Sequence, residues 1–405
     1  MKESFIMNLR SFRKNPLCRV TIGLALIGML WGMAAGRAAA DEAQSVTVPL
    51  IQRGVHLYVE AVVDDKPALF VLDTGAGANI LTPQAAKRLD LMAEKAQIDV
   101  QGAGGNASPA SAVKIGKLSV GEAALTAQTA YVIPLPDVLV CDGLLGTPFF
   151  QAWIVQFDYA HLRLTLTPRA AFQPPADATA VPIRFYNNIP ALDATVDGIK
   201  GRFKIDTGAG DAVTLFGPFV EQHHLRGRYM PSLQTVTGRG IGGLLYGDLV
   251  RVQEFGIGPF HFTRVTAELS RQTAGAFAGT ESAGNLGGEI WRRFTLILDY
   301  PESKIFLIPN ASFDAPFLAN RSGVALDSDQ GMTLIRAVIP GSPATEAGVH
   351  AGDIVLAIDG TSIYRIAGWK VRDILRGEPG TKIVLRLRAP DKTERDATLT
   401  LRDLL

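Results

Sequence analysis

The chain has 405 residues, 47% of them apolar, with 41 Gly and 23 Pro. That is too long for one core and too apolar and turn-rich for a disordered or long-helical protein, so two to three domains are expected. The formal net charge is +1, and residues 1–40 hold six of the 40 Lys and Arg but one of the 39 Asp and Glu, so the remainder carries −4. Such a balance excludes the basic footprint of a nucleic-acid binder and of a protein drawn to anionic membranes.

Residues 1–40 have the pattern of an export signal. Lys2, Arg10, Arg13, Lys14 and Arg19 precede an apolar run from Val20 to Ala35, and Ala38-Ala39-Ala40 precede Asp41-Glu42. The run is shorter than the roughly 20 residues of a comfortable spanning helix. The expectation is cleavage after Ala40 and a mature chain without a membrane anchor. Cys18 would leave with the signal, so Cys141 would remain alone and no internal disulfide could form.

From Val46 onward, short alternating or apolar runs are split by Gly, Pro, Asn and Asp, which predicts strands and turns. A hairpin over Gly54–Leu72 runs into Asp73-Thr74-Gly75-Ala76-Gly77. Thr82-Pro83 then marks a helix start, with Thr as N-cap and Pro at the first helical position. Gly102-Ala103-Gly104-Gly105 reads as a hairpin tip, and Gly143-Leu144-Leu145-Gly146 follows an apolar segment. The second half repeats this order. Phe203-Lys204-Ile205 runs into Asp206-Thr207-Gly208-Ala209-Gly210, Gly217-Pro218 takes the place of Thr82-Pro83, and Gly238-Arg239-Gly240-Ile241-Gly242-Gly243 that of the Gly-rich tip. Gly284-Asn285-Leu286-Gly287 matches Gly143–Gly146, and Leu298-Asp299-Tyr300 matches Phe157-Asp158-Tyr159. An internal duplication follows. Between the copies, Pro168–Ala180 is rich in Pro and Ala and shows no strand pattern.

A carboxylate at the end of an apolar strand is costly to bury unless something compensates it. Two such carboxylates in duplicated units suggest a pair that meets. Close together they cannot both ionise, so they share a proton and titrate as a pair. The ionised one can activate water while the protonated one polarises an amide carbonyl. The sequence has no His-Glu-x-x-His, no spaced third ligand for His223-His224 and no Gly-x-Ser-x-Gly elbow. The string Gly238–Gly243 fits a dinucleotide fingerprint, but strand patterns surround it and no helix follows.

The paired Asp-Thr-Gly motifs, each with a later apolar segment ending in Gly, resemble the pepsin and retropepsin clan of aspartic proteases over roughly Val46–Pro309. The resemblance implies a mainly β fold with two duplicated retropepsin-like β-barrel lobes, and a dyad of Asp73 and Asp206. Thr74 and Thr207 would lock the lobes together, while Gly75 and Gly208 would permit close approach. Leu144-Leu145-Gly146 and Asn285-Leu286-Gly287 would lie beneath. Gly102, Gly104 and Gly105, with Gly240, Ile241 and Gly242, would form two flaps over an extended peptide. Two flaps match retropepsin dimers; pepsin-like enzymes keep one, and their flap tyrosine has no counterpart here. No cofactor and no metal is implied.

Beyond Pro309, Gly341-Ser342-Pro343-Ala344, Ala347-Gly348-Val349 and Ala351-Gly352-Asp353-Ile354-Val355-Leu356-Ala357-Ile358-Asp359-Gly360 resemble a PDZ domain of bacterial envelope proteases. Gly323-Val324-Ala325-Leu326 occupies the place of the peptide-binding loop, with Ala325 where a second Gly is usual. Backbone N–H capture of a peptide carboxylate and strand addition are the implied modes. Trp369 and Ile366 could line the groove or belong to the core. The expected organisation is a signal over 1–40, lobes over 41–168 and 181–310 joined by a linker over 169–180, and a PDZ domain over 320–405. The whole describes an exported, periplasmic aspartic endopeptidase acting on peptides or proteins. The alternative is a non-catalytic peptide-binding sensor or scaffold.

Overall fold

The computed structural model describes residues 44–94, 97–329 and 331–405. The signal expected over residues 1–40 lies outside them. Among the described residues no helix is long and apolar enough to cross a membrane.

The fold is mainly β, and its two halves have the same topology. In the first, an eight-stranded sheet runs in the order Ile51–Arg53, His56–Val63, Lys66–Leu72, Gly143–Leu145, Asn79–Leu81, Ala123–Val132, Ala107–Val120, Gln97–Gln101. In the second the order is Arg184–Tyr186, Ile189–Val196, Ile199–Ile205, Gly284–Leu286, Val213–Leu215, Phe260–Ser270, Gly243–Ile257, Leu233–Gly240. Each sheet curls on itself through an extra pairing, His56–Val63 with Ala107–Val120 and Ile189–Val196 with Gly243–Ile257. Curling of this kind encloses an apolar interior.

The strand leading into each Asp lies parallel to the later apolar strand. Phe70 pairs with Gly143 and Leu72 with Leu145; Phe203 pairs with Gly284 and Ile205 with Leu286. The Asp-Thr-Gly loops are thereby held over buried strands. Thr82 caps the helix Pro83–Arg88, its Oγ1 accepting from the Ala85 N–H at 3.1 Å. The second copy departs from expectation here. Phe216, not Gly217, stands before the helix Gly217–Gln222, because the loop from Asp206 is one residue longer than that from Asp73. Gly217 and Pro218 are the first two helical residues.

The closing hairpins of the halves do not belong to separate lobes. Val46–Pro49, Arg163–Thr167, Ile154–Asp158, Phe294–Asp299, Lys304–Pro309 and Thr179–Pro182 form one six-stranded sheet in that order. Its centre joins the halves, with Val155 opposite Leu298 and Phe157 opposite Leu296. The segment 169–180, expected without strand structure, ends in a strand because Thr179 and Ala180 pair with Leu307 and Phe306 along an otherwise open edge. One apolar core runs through both halves, from Leu57 and Phe70 to Phe203 and Trp291.

The C-terminal module has its own core of Val324, Ile335, Val355, Leu385, Leu387 and Leu399. Its sheet runs Val324–Asp329, Met332–Val338, Ile354–Ile358, Lys382–Arg388, Glu394–Thr400, flanked by helices Pro343–Glu346 and Gly368–Leu375. The chain reaches it through a segment anchored by the buried Arg293. Its guanidinium donates to the carbonyls of Ser312, Phe313 and Ala315 at 3.1, 2.9 and 2.5 Å and lies 3.7 Å over the Phe317 ring.

Candidate active site

The two Asp-Thr-Gly loops meet at the junction of the halves. An added Cβ on Gly75 would lie 2.4 Å from the Asp206 Cγ, and one on Gly208 would lie 2.4 Å from the Asp73 Cγ. Each carboxyl therefore rests on the glycine of the opposite half, and any larger residue at either glycine would displace it. Behind them the threonines cross. The Thr74 N–H donates to Thr207 Oγ1 at 3.1 Å, and the Thr207 N–H to Thr74 Oγ1 at 3.0 Å. Thr74 Oγ1 donates to the Ile205 carbonyl at 2.8 Å and Thr207 Oγ1 to the Leu72 carbonyl at 2.7 Å. Both threonines are buried.

The aspartates are half-buried, but the protein around them is dense enough to disfavour their charged forms. Burial raises the Asp73 carboxyl well above the usual range, and the charge of Asp206 raises it further. Burial also raises Asp206, while the Asn285 amide holds it down. Asp206 Oδ1 accepts from the Gly208 and Ala209 N–H groups, both at 3.0 Å, and Oδ2 accepts from Asn285 Nδ2. Asp73 Oδ1 accepts from the Gly75 N–H at 2.9 Å. Asp206 thus accepts one more side-chain hydrogen bond than Asp73, and both carboxyls are raised.

The two Gly-rich tips touch above the pair. The Gly104 N–H donates to the Ile241 carbonyl at 2.9 Å and the Asn106 N–H to the Gly242 carbonyl at 3.1 Å. Gly102 lies against Ile241, while Gly240 lies against Ala103. Gly105 stands off from this contact, its nearest neighbour beyond the tip being Ala274. A cavity of about 720 Å³ lies elsewhere, on the second half around Lys200, Arg202 and His223, and none of the paired aspartates or tips lines it.

Charged groups gather on the second half's side. Glu268, buried on Phe260–Ser270 against Gly247, is pushed up to about 8 by burial and then by Asp211 and Asp248. Asp211 Oδ2 accepts from the Thr214 hydroxyl. His56 Nε2 donates to the Gly208 carbonyl at 3.0 Å; burial and then Arg372 lower it to about 4, so the ring is neutral above that pH.

The C-terminal module adjoins this cleft. Arg239 at the second tip makes a two-pronged contact with Asp327, at 2.8 and 2.6 Å, and Arg336 adds a bond to Asp327 at 2.9 Å. Arg372 on the helix Gly368–Leu375 reaches Gly210, where an added Cβ would lie 2.8 Å from Nη1. Trp369 packs on Gly54 of the first half, whereas Ile366 packs on the module's own core. In the loop Gly323-Val324-Ala325-Leu326, the N–H groups of Ser322 and Gly323 donate to Asn320 Oδ1 at 2.9 and 3.0 Å, and that of Val324 to Ser322 Oγ at 3.1 Å. These donors, two of them in the loop where carboxylate capture is expected, are already satisfied because Asn320 and Ser322 fold under it.

Sequence reasoning missed the contact of Asn285 with Asp206 and the tie from Arg239 to Asp327. The first left a signal: Asn285 is the one polar residue where the matching segment has Leu144. The second left none, because it joins residues 88 positions apart in unrelated units.

The fold and this junction define the class: a duplicated retropepsin-like protein with an appended peptide-binding module. The family model described as "Aspartyl protease" matches residues 59–149 and 192–290, and that described as "PDZ domain" matches residues 334–388. Over these segments the chain is similar to retropepsin-like aspartyl proteases, and its C-terminal module to a PDZ domain. Among similar proteins are the chloroplastic C-terminal processing peptidase of Tetradesmus obliquus, 31% identical over 117 residues, and FERM and PDZ domain-containing protein 2 of Mus musculus, 31% identical over 96 residues. These matches cover 27% and 23% of this chain, and the chain spans 25% and 7% of the relatives' lengths. A solved photosystem II D1 C-terminal processing protease is 28% identical over 21% of this chain and 24% of its own, with a TM-score of 0.20.

Two predictions follow from the junction and its charge. Thr74→Val and Thr207→Val each strip partners from buried backbone groups and lower stability by about 2–4 kcal/mol. The double variant loses less than the sum, since the two hydroxyls share one network; denaturant unfolding of all four proteins measures this. Glu268 has a folded pKa above its unfolded value, so its neutral form favours folding below about 4.5 and that contribution is lost as the pH rises toward about 8. Glu268→Gln should therefore match wild type in melting temperature at pH 4.5 and exceed it increasingly up to pH 8, by the equivalent of about 2–4 kcal/mol.

Proposed function

We propose that the protein is an aspartic endopeptidase whose PDZ domain recruits and orients peptide or protein substrate. The observation that carries this reading is the pair Asp73 and Asp206, each seated on the other half's glycine with burial raising both carboxyls. One ionised carboxylate takes a proton from a water between them as its oxygen bonds to the amide carbon. The protonated partner gives its proton to the carbonyl oxygen. The nitrogen then leaves with the proton held by the first carboxyl, and the C–N bond breaks as one hydroxyl returns its proton to the partner carboxylate and the carbonyl reforms. Gly102, Gly104 and Gly105 with Gly240, Ile241 and Gly242 form the flaps that cover an extended chain and keep bulk water out.

The role of the PDZ domain is supported by where its edge strand lies. A cavity of about 470 Å³ is lined by Asn106 and Ser108 of the first flap, Arg239–Gly243 of the second and Ser328 of the strand Val324–Asp329. A chain held along that strand is delivered next to the flap tips. The satisfied N–H groups of Ser322, Gly323 and Val324 favour internal, strand-like segments over free C-termini. We also propose export to the periplasm, on the pattern of residues 1–40 alone.

The test is cleavage of denatured proteins from acidic to neutral pH. Asp73→Asn and Asp206→Asn should each lower the rate by about 10²–10⁴-fold or more while the fold persists. Equal activity in wild type and both variants would sink the enzyme and leave a peptide-binding scaffold. Asp327→Asn, which loosens the flap from the PDZ strand, should lower kcat/KM several-fold on denatured proteins and less on short peptides.

A further inference from the structure

Duplication gives the dyad two similar seats, and they differ in the residue that lies beneath each aspartate. Leu144 and Asn285 hold the same register position: Leu144 faces Val71 and Ile80 across its ladders, and Asn285 faces Lys204 and Thr214. Leu144 packs in an apolar cluster with Val71, Ala76 and Ile80. Asn285 is buried and points its amide nitrogen at Asp206 Oδ2. An amide donor in that place stabilises a carboxylate over a carboxylic acid, because a donor to a charged acceptor is worth more than one to a neutral one.

We infer that Asn285 is a positioning residue that breaks the symmetry of the dyad, holding the negative charge on Asp206 and so leaving the shared proton on Asp73. This rests on the dyad reading above and extends it by assigning the roles: Asp206 takes the proton from water, and Asp73 protonates the carbonyl oxygen. The other titratable or charged groups around Asp206 are Asp73 across the junction, Lys204 beside it on the strand, Asp211 in the following loop, His56 on the Gly208 carbonyl and Arg372 from the PDZ helix, while Tyr300 faces Asp73.

Asn285→Leu copies the residue of the first half. Losing a donor to the anion disfavours ionisation of Asp206 and raises its pKa, so the acidic limb of the kcat/KM profile moves up by about one to two pH units. The exchange Leu144→Asn with Asn285→Leu moves the donor to Asp73 and restores a limb close to wild type, with the roles reversed. Should Asn285→Leu fail to fold, Leu144→Asn alone adds a second donor, and lowers the basic limb by about one unit. An active Asn285→Leu protein with an unmoved limb, or a lone Leu144→Asn with both limbs unmoved, overturns the assignment. Carbon-13 spectra of Asp-labelled protein follow the same ionisations without substrate: wild type should show one low and one high dyad pKa, and Asn285→Leu a raised low one. Absence of turnover in wild type would thus refute the peptidase, whereas equal carbon titrations in wild type and Asn285→Leu would refute the role of Asn285.

Discussion

Two partly desolvated carboxyl groups set face to face repel unless they share a proton, and the structure depends on what holds them there. That restraint is the crossed pair of threonines. Each hydroxyl accepts from the other half's N–H and donates to its carbonyl, so four hydrogen bonds span the junction in buried surroundings. A loop that moved back by even an ångström would strand several of these groups without water, at about 1–3 kcal/mol each. The glycines complete the restraint by exclusion, since only a residue without Cβ leaves room for the facing carboxyl.

That junction would still hinge if the halves touched only at their loops. The common six-stranded sheet prevents this by pairing Ile154–Asp158 directly with Phe294–Asp299 and continuing the apolar core through Phe150, Phe157 and Tyr300. The Gly-rich tips lie outside this shared core. Those tips are joined to each other by two backbone hydrogen bonds, and the second is tied through Arg239 to a strand of the PDZ domain. The second tip and the PDZ strand therefore share a contact.

What was legible in the sequence was whatever repeats or obeys local rules. The paired Asp-Thr-Gly strands, the Thr82 cap and the Gly-rich tips each carry their meaning within a few residues, and duplication doubled the signal. The six-stranded sheet was not legible, because a hairpin such as Ile154–Thr167 looks the same whether its outer edge meets solvent or another half. The one-residue shift at Phe216 was hidden for a different reason: Gly217-Pro218 mimics Thr82-Pro83 as a string, and the extra residue in the preceding loop moves the cap without changing the pattern. Contacts of the PDZ domain with the cleft through Arg372 and Trp369 join exposed positions, where no periodicity records a partner.

A dyad built from two identical chains must have identical seats, so any preference between its carboxyls has to come from bound substrate. Placing both halves in one chain removes that constraint, since each seat can then vary alone. This chain has used that freedom around the dyad in at least two ways. Asn285 replaces an apolar residue under one aspartate only, and Arg239 ties one flap only to the PDZ strand. Both changes fall on the second half, which also holds Glu268 and Asp211. The first half keeps Leu144, Ile80 and Ala76 in an apolar cluster near its aspartate. The polar and apolar surroundings of the two aspartates thus fall on different halves, and the junction has a direction that two identical chains could not give it.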